Sequence, residues 1–536
     1  MKVDLIDGHA VFELQYHENH MAKSCGARWH PGTRRWKAKA TRLVASAILS
    51  MFPHEVVDPA IARIAGTSGT EIPPIELETL SRGIVGLTLK NRQIEGVMKA
   101  WFHRGFAFLW VMGAGKTVST LALANARYNT EQIDQLLIVC PTSIKGVWAK
   151  EVARYSAVKW DVCVMESGKP IKWSGEGPKM LVVGTEAMST SGPAERVYNF
   201  INGGRTMAVV DESSGIKNHD KIRSKNITQA GQECSFRLIL SGTSVTQGVH
   251  DLFSQFFFVD PCIIGELSYY SFRNKYCVMG GYEQRKIIGH RNVDELLNRL
   301  KPYSDTILKD EMPLPPKIYM TRTVSASTEQ KRACKELVRE METIIGDKTL
   351  SAKNSLEVLL RLQQIAGGFD HEGMPLPGGN PKMKDLLGLL QEVQGKVIIW
   401  ARYIPEVHAI TTAIDAEWSG SVVSMTGDVA PAARQLMVDS FQKEDRLRFF
   451  VANQQTAGKG LTITAATTTI YYSNTFSLED RLQSEDRNHR MGQEHTVTYI
   501  DLLSDLKVDS MIAVAVENKR SMADYVGHGL RVKDLV

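Results

Sequence analysis

The run Gln483-Ser-Glu-Asp486-Arg487-Asn-His489-Arg490-Met-Gly492-Gln493 sets two arginines three residues apart, among acids, a histidine and two glutamines. On a helix, that spacing puts both guanidinium groups on one face. A guanidinium keeps its proton and can bridge two oxygens, which suits charge developing on a transferred phosphoryl group. Alone, the run also fits a solvated charged helix. Upstream stand Gly113-Ala114-Gly115-Lys116-Thr117 and, between the two, Val209-Val210-Asp211-Glu212. Three phosphate-handling elements in this order describe a machine driven by ATP.

Phe106–Val111 reads as an apolar strand entering the glycine turn, with a helix from Val118 to about Arg127 beyond it. Glycines let backbone N–H groups close on phosphate oxygens at a helix N-terminus, whose partial positive charge favours anions. Lys116 should reach the β and γ phosphates of ATP, and the Thr117 hydroxyl should ligate Mg2+. The first glycine usual in such a turn would fall at Trp110, so the pattern is incomplete. Asp211 would hold Mg2+ and Glu212 would orient or activate the attacking water. Taken alone, adjacent acids after a buried strand are more often a surface turn or cap. Ser241-Gly242-Thr243 ends the next strand and could relay the state of the γ phosphate, or be a structural turn.

These residues need a scaffold of alternating strands and helices. Leu136–Val139, Met180–Val183, Met207–Val210 and Leu238–Leu240 read as buried strands of one lobe. Lys396–Trp400, Leu447–Val451, Thr469–Tyr472 and Thr496–Ile500 read as strands of a second. The expected fold is α/β: two tandem parallel-sheet lobes, residues 81–310 and 311–510, with a C-terminal helical tail over 511–536. Residues 66–80, rich in Gly, Thr and Pro, read as a linker, and His371–Pro381 as a surface loop. The arginines belong to the second lobe, so they serve ATP held by the first only if a cleft closes. Two lobes that open and close on a charged polymer make a translocating motor.

The 536 residues are 43% apolar and 23% charged, as in soluble proteins with sizeable cores. No apolar run is long enough to span a bilayer and the N-terminus has no signal-peptide pattern, so a cytoplasmic protein without a membrane partner is expected. The seven cysteines are scattered, odd in number and never spaced as CxxC; they read as reduced thiols, not disulfides or a zinc site. The net charge of +5 is mild. Its distribution is more telling: Lys23, Arg28, Arg34, Arg35, Lys37, Lys39 and Arg42 cluster without an acid, interleaved with Trp29 and Trp36. Residues 1–65 are therefore a small basic module for which two readings stand. Cations and flat rings suit nucleic acid; a hairpin this small also needs its tryptophans as core.

The motifs resemble those of helicase superfamily two and, within it, the Swi/Snf-type double-stranded DNA translocases, over about residues 81–510. QSEDRNHRMGQ is the most specific match, and DEAD-box RNA helicases carry an arginine where this chain has Gln493. Met112–Thr117 resembles the group's first motif, which also lacks the early glycine. Val139-Cys-Pro141-Thr142-Ser with Trp148 resembles a DNA-contacting motif, and Asp211–Asn218 the Asp-Glu-Ala-His motif. Ser241–Gln247 resembles the Gly-Thr-Pro element, and Thr456-Ala-Gly-Lys-Gly460-Leu-Thr462 the coupling motif of lobe two. Gln93 sits where the group reads adenine.

The resemblance implies two RecA-like lobes and an ATPase stimulated by DNA. ATP would contact Gln93, Gly113, Ala114, Gly115, Lys116, Thr117, Gly460 and Gln483. Arg487 and Arg490 would act as arginine fingers, and Ser241, Gly242, Thr243 and Gln493 would couple the lobes. DNA contacts would come from Arg28, Trp29, Arg34, Arg35, Trp36, Lys37, Pro141 and Thr142. Ser214 and Ser244 depart from the group's histidine and proline, which puts the strength of coupling in question. Ala27–Trp36 resembles the HARP module of annealing-type relatives, pointing to forks or branched DNA. A monomer of bacterial or phage origin, near the nucleoid, with replication, recombination or transcription proteins as partners, completes the expectation. A strand-separating helicase and a nucleotide-gated DNA clamp with weak ATPase are the alternatives.

Overall fold

The computed structural model describes residues 1–66, 72–242, 248–266, 268–281, 286–345, 352–454 and 461–517. The chain divides into two compact units, Met1–Glu311 and Met312–Val536.

The first unit opens with a four-stranded antiparallel sheet, in the order Lys2–Ile6, His9–Glu13, Arg35–Lys39, Arg28–His30. Val3, Ala10, Phe12, Ala38, Ile48, Phe52 and Ile61 form its own core. A seven-stranded parallel sheet follows. Its spatial order is Ser304–Ile307, Gly105–Trp110, Phe236–Leu240, Thr206–Asp211, Gln135–Cys140, Lys179–Gly184, Asp161–Val164. Helices between the strands cover it, so central strands must be apolar at nearly every position. Gln135–Cys140 and Thr206–Asp211 are indeed buried throughout.

The second unit holds a six-stranded parallel sheet ordered Lys317–Val324, Val497–Ser504, Ala466–Tyr471, Lys396–Ala401, Phe449–Asn453, Val422–Met425. The expected α/β architecture of two parallel sheets plus a small α+β module is therefore present. Nine strands fall where apolar runs placed them. Four strands were not legible: Asp161–Val164, Ser304–Ile307, Lys317–Val324 and Val422–Met425, and all four are sheet edges. Edge strands carry more polar residues because one side lacks a neighbour, and Lys317–Val324 is largely exposed. Helix Lys507–Glu517 ends the described chain. Among the described residues no helix is long and apolar enough to cross a membrane.

Candidate active site

Strand Gly105–Trp110 ends at the glycine turn, and helix Lys116–Asn129 begins two residues earlier than its apolar pattern implied. Gly113 and Gly115 have φ of 81° and 84°, where a Cβ is strained. Gly115 caps the helix, and a side chain there would collide with the Gln93 amide. The missing first glycine has a physical reason. Trp110 is still a strand residue, fully buried, packed on Gly96, with its indole N–H donating to Asp305 at 2.8 Å. Lys116 Nζ donates to the Trp110 carbonyl at 2.8 Å, so the lysine bends back over the turn that a phosphate would fill.

Gln93 is buried with both ends of its amide engaged. Oε1 accepts from Lys90 N at 2.8 Å and Nε2 donates to the Ala114 carbonyl at 2.9 Å. It ties the helix Asn91–Trp101 to the phosphate turn.

The acids arrive from the strand beside Phe236–Leu240. Asp211 is buried; burial, and then the charge of Glu212, push its carboxyl up to about 6, while Lys116 opposes the shift. Its Oδ2 accepts from Trp148 Nε1 at 2.9 Å and its Oδ1 from Glu212 N at 2.9 Å. Trp148, expected in a DNA-contacting element, is 1% exposed and supports Asp211 instead. No signal in its spacing could reveal that pairing. Glu212 adopts φ 51°, a strained conformation for a side-chain-bearing residue. Gly242, at the end of the intervening strand, closes the group: a Cβ there would lie 2.9 Å from Met112 Cγ and 3.6 Å from Lys116 Nζ. Ser241 beside it is buried. Lys116, Gly242 and the acid pair thus converge from the C-terminal ends of three adjacent parallel strands, where α/β sheets bind ligands. Thr243, Ser244 and Gly460 lie outside the described residues. Ser214 is half-buried; its neighbour Ser213 is the one that donates to Gln255 at 2.6 Å.

The arginine run of the second unit differs from expectation. Helix Leu478–Glu485, capped by Ser477, ends before either arginine, so Arg487 and Arg490 occupy a turn, not one helical face. The last turn of the helix is anchored from the side. Glu485 accepts from Lys317 Nζ at 2.5 Å and Tyr319 Oη at 2.8 Å, and its carbonyl accepts from Tyr499 Oη at 3.0 Å. Arg487 is 2% exposed and donates to the Leu461 carbonyl at 3.1 Å. Gln493 donates to the carbonyls of Thr464 and Asn488 at 2.9 and 3.0 Å and accepts from Glu494 N and His495 N, both at 3.1 Å. It shapes this loop. Gln483 is buried, and Arg490 is half-buried. One residue was overlooked. Arg481 pairs with Glu485 at 2.9 Å and Asp501 at 2.6 Å, and stacks 3.4 Å over the Tyr471 ring.

In the basic module Trp29 faces Trp36 across the strands, with centroids 5.8 Å apart, while Arg28 pairs with Lys37 and His30 with Arg35. Trp36 packs against the core and donates to Asn19 Oδ1 at 2.9 Å. Trp29 is 49% exposed, on a strand at the edge of the sheet. The core forms without it. Arg35 pairs with Glu13; Arg28 and Arg34 are exposed and Lys37 half-exposed. In the first parallel sheet, Pro141 is half-buried, and exposed Thr142 donates its hydroxyl to Glu186 at 2.6 Å.

A sheet ending in a lysine-bearing glycine turn and an acid pair, followed by a second parallel sheet with an arginine turn, defines a helicase-fold protein. Residues 109–369 match the SNF2-related domain and residues 381–492 the helicase conserved C-terminal domain. The chain belongs to the Swi/Snf-type group of helicase superfamily two, with two RecA-like lobes. Relatives include the mouse (Mus musculus) DNA annealing helicase and endonuclease ZRANB3, 26% identical over 79% of this chain and 39% of its own length. A Caenorhabditis elegans homolog of the SWI/SNF-related matrix-associated actin-dependent regulator of chromatin subfamily A-like protein 1 is 26% identical over 83% of this chain and 66% of its own. A putative ATP-dependent helicase/translocase, YwqA of Bacillus subtilis, is 23% identical over 77% and 46%. The chain thus spans 39% of the mouse relative's length. Among solved structures, the Sulfolobus solfataricus SWI2/SNF2 ATPase core in complex with dsDNA is 22% identical with a TM-score of 0.39, covering 86% of this chain and 98% of that one.

Proposed function

We propose that this chain hydrolyses ATP to translocate on double-stranded DNA, with a preference for branched or forked DNA. The observation that carries this reading is the convergence of Lys116, Gly242, Asp211 and Glu212 on one glycine turn. Lys116 and the turn's N–H groups would hold the β and γ phosphates, and Gln93 would link the base end of ATP to that turn. Thr117 and Asp211 offer the hard oxygens that suit Mg2+, and a buried carboxyl held near 6 by burial and Glu212 gains most from a cation. Bound there, Mg2+ would neutralise charge developing on the phosphate oxygens. Glu212 would orient the attacking water. Arg490 would add positive charge to the transferred phosphoryl group, with Arg487 shaping the turn that presents it.

For DNA, the exposed Trp29 beside Arg28, Arg34 and Lys37 combines a stacking face with phosphate-binding charge. Kinship to a protein named as a DNA annealing helicase supports action on DNA. A bacterial or phage origin, a cytoplasmic place near the nucleoid and a monomeric state belong to the same reading.

Steady-state ATP hydrolysis tests it, without nucleic acid and with single-stranded, duplex and forked DNA and duplex RNA, with Glu212→Gln as the blank. Strong stimulation by duplex or forked DNA is expected, and Trp29→Ala should erase a fork preference while keeping duplex stimulation. Hydrolysis unmoved by any DNA would replace the translocase with a nucleotide-gated clamp.

A further inference from the structure

Away from the phosphate turn, the first unit brings together two histidines and a cysteine that share no sequence motif. Strands Cys277–Gly280 and Lys286–His290 pair antiparallel, and Cys277 lies directly opposite His290. Directly opposed residues point to the same face of a sheet. His250 comes from the turn that precedes helix Leu252–Val259. The ligand atoms of His250, Cys277 and His290 all lie within 4.8 Å of one another.

We propose that His250, Cys277 and His290 bind a divalent cation of the zinc class. Two nitrogens about 2.1 Å from one ion at tetrahedral angles lie about 3.4 Å apart. His250 Nδ1 and His290 Nε2 stand 3.4 Å apart. The other nitrogen of His250, Nε2, is 3.5 Å from Asp251 Oδ1. A carboxylate behind a ligating imidazole fixes its tautomer and raises its basicity, the usual arrangement around such ions. Asp251 is itself paired with Lys217 at 3.6 Å.

The backbone makes room for the ring pair. Gly248 has φ 152°, and a Cβ there would lie 2.7 Å from His250 Nδ1 and 2.9 Å from His290 Cε1. Cys277 is buried. Binding replaces the S–H bond by a sulfur–metal bond and releases one proton to solvent. One nitrogen-rich, sulfur-containing set of three leaves a fourth position for water. The ion would pin strands Cys277–Gly280 and Lys286–His290 to the Val249–Asp251 turn.

The test uses full-length protein without a histidine tag, stripped with EDTA and titrated with Co2+ and then Zn2+. One Co2+ per chain is expected, with a thiolate-to-cobalt charge-transfer band that Zn2+ bleaches. Cys277→Ser should abolish the band. His290 is exposed, so His290→Ala should fold normally yet bind Co2+ at least about tenfold more weakly, and Asp251→Asn should weaken binding by about ten- to a hundredfold. A wild-type protein without the band, or equal Co2+ affinity in folded His290→Ala, overturns the site.

Discussion

The glycine turn of the first unit and the arginine turn of the second carry the densest motifs in the chain, yet they spend their residues differently. In the first, Lys116 reaches back over a turn whose glycines take positive φ, and Glu212 holds a strained φ of 51°. In the second, Arg481, Glu485, Arg487 and Gln493 are all buried and bonded to neighbours. Charge density in a motif therefore does not measure reactivity. Much of the arginine run builds the loop, and Arg490 in it is half-buried.

Three substitutions probe that contrast. Arg481→Ala removes the partner of two acids, one deeply buried, and should cost about 4 kcal/mol in denaturant unfolding of the second unit. A loss near zero would mean the network is decorative. Lys116→Ala and Arg490→Ala should each lower DNA-stimulated turnover by about 10²–10³-fold with melting temperature unchanged. Equal losses of turnover and stability would erase the distinction between the two turns.

Each unit also contains a buried acid, and the two sharpen the comparison. Asp211 lies beside Lys116, whereas Glu406 lies behind Ser473 with its carboxyl pushed up to about 7, chiefly by burial. A carboxyl whose pKa is raised on folding favours the folded state while protonated. That contribution is full below about 4.5, declines as pH rises, and is lost above about 7. Stability of the second unit should therefore fall by about 3 kcal/mol across this window, and Glu406→Gln should flatten the slope. An unchanged slope would move the titration to another group. Last, Trp148→Phe deletes one hydrogen bond to Asp211 and should cost about 1 kcal/mol while raising the Mg2+ concentration needed for half-maximal turnover. A stability loss with no shift in Mg2+ dependence would leave Trp148 as packing alone.

Central strands were legible because strands buried on both faces must be continuously apolar, as Gln135–Cys140 is. The four edge strands were not, since half-exposed pairing tolerates polar residues such as Thr306 and Arg322. Lys116, Asp211 and Glu212 were legible because a phosphate turn demands residue types at fixed short spacing. Trp148 on Asp211, Arg481 between two acids, and the exposure of Trp29 were not, since each depends on what a distant element covers.

By itself, then, the amino-acid order determined the class of fold, the order of the phosphate motifs and the family. These are properties of local pattern, and a short window carries them. Only the tertiary structure decided that Arg487 is buried in a turn, that Trp29 stands outside its module's core, and that His250, Cys277 and His290 meet. Those facts rest on strand register and loop path, which gather residues far apart in the chain and leave no periodic trace along it.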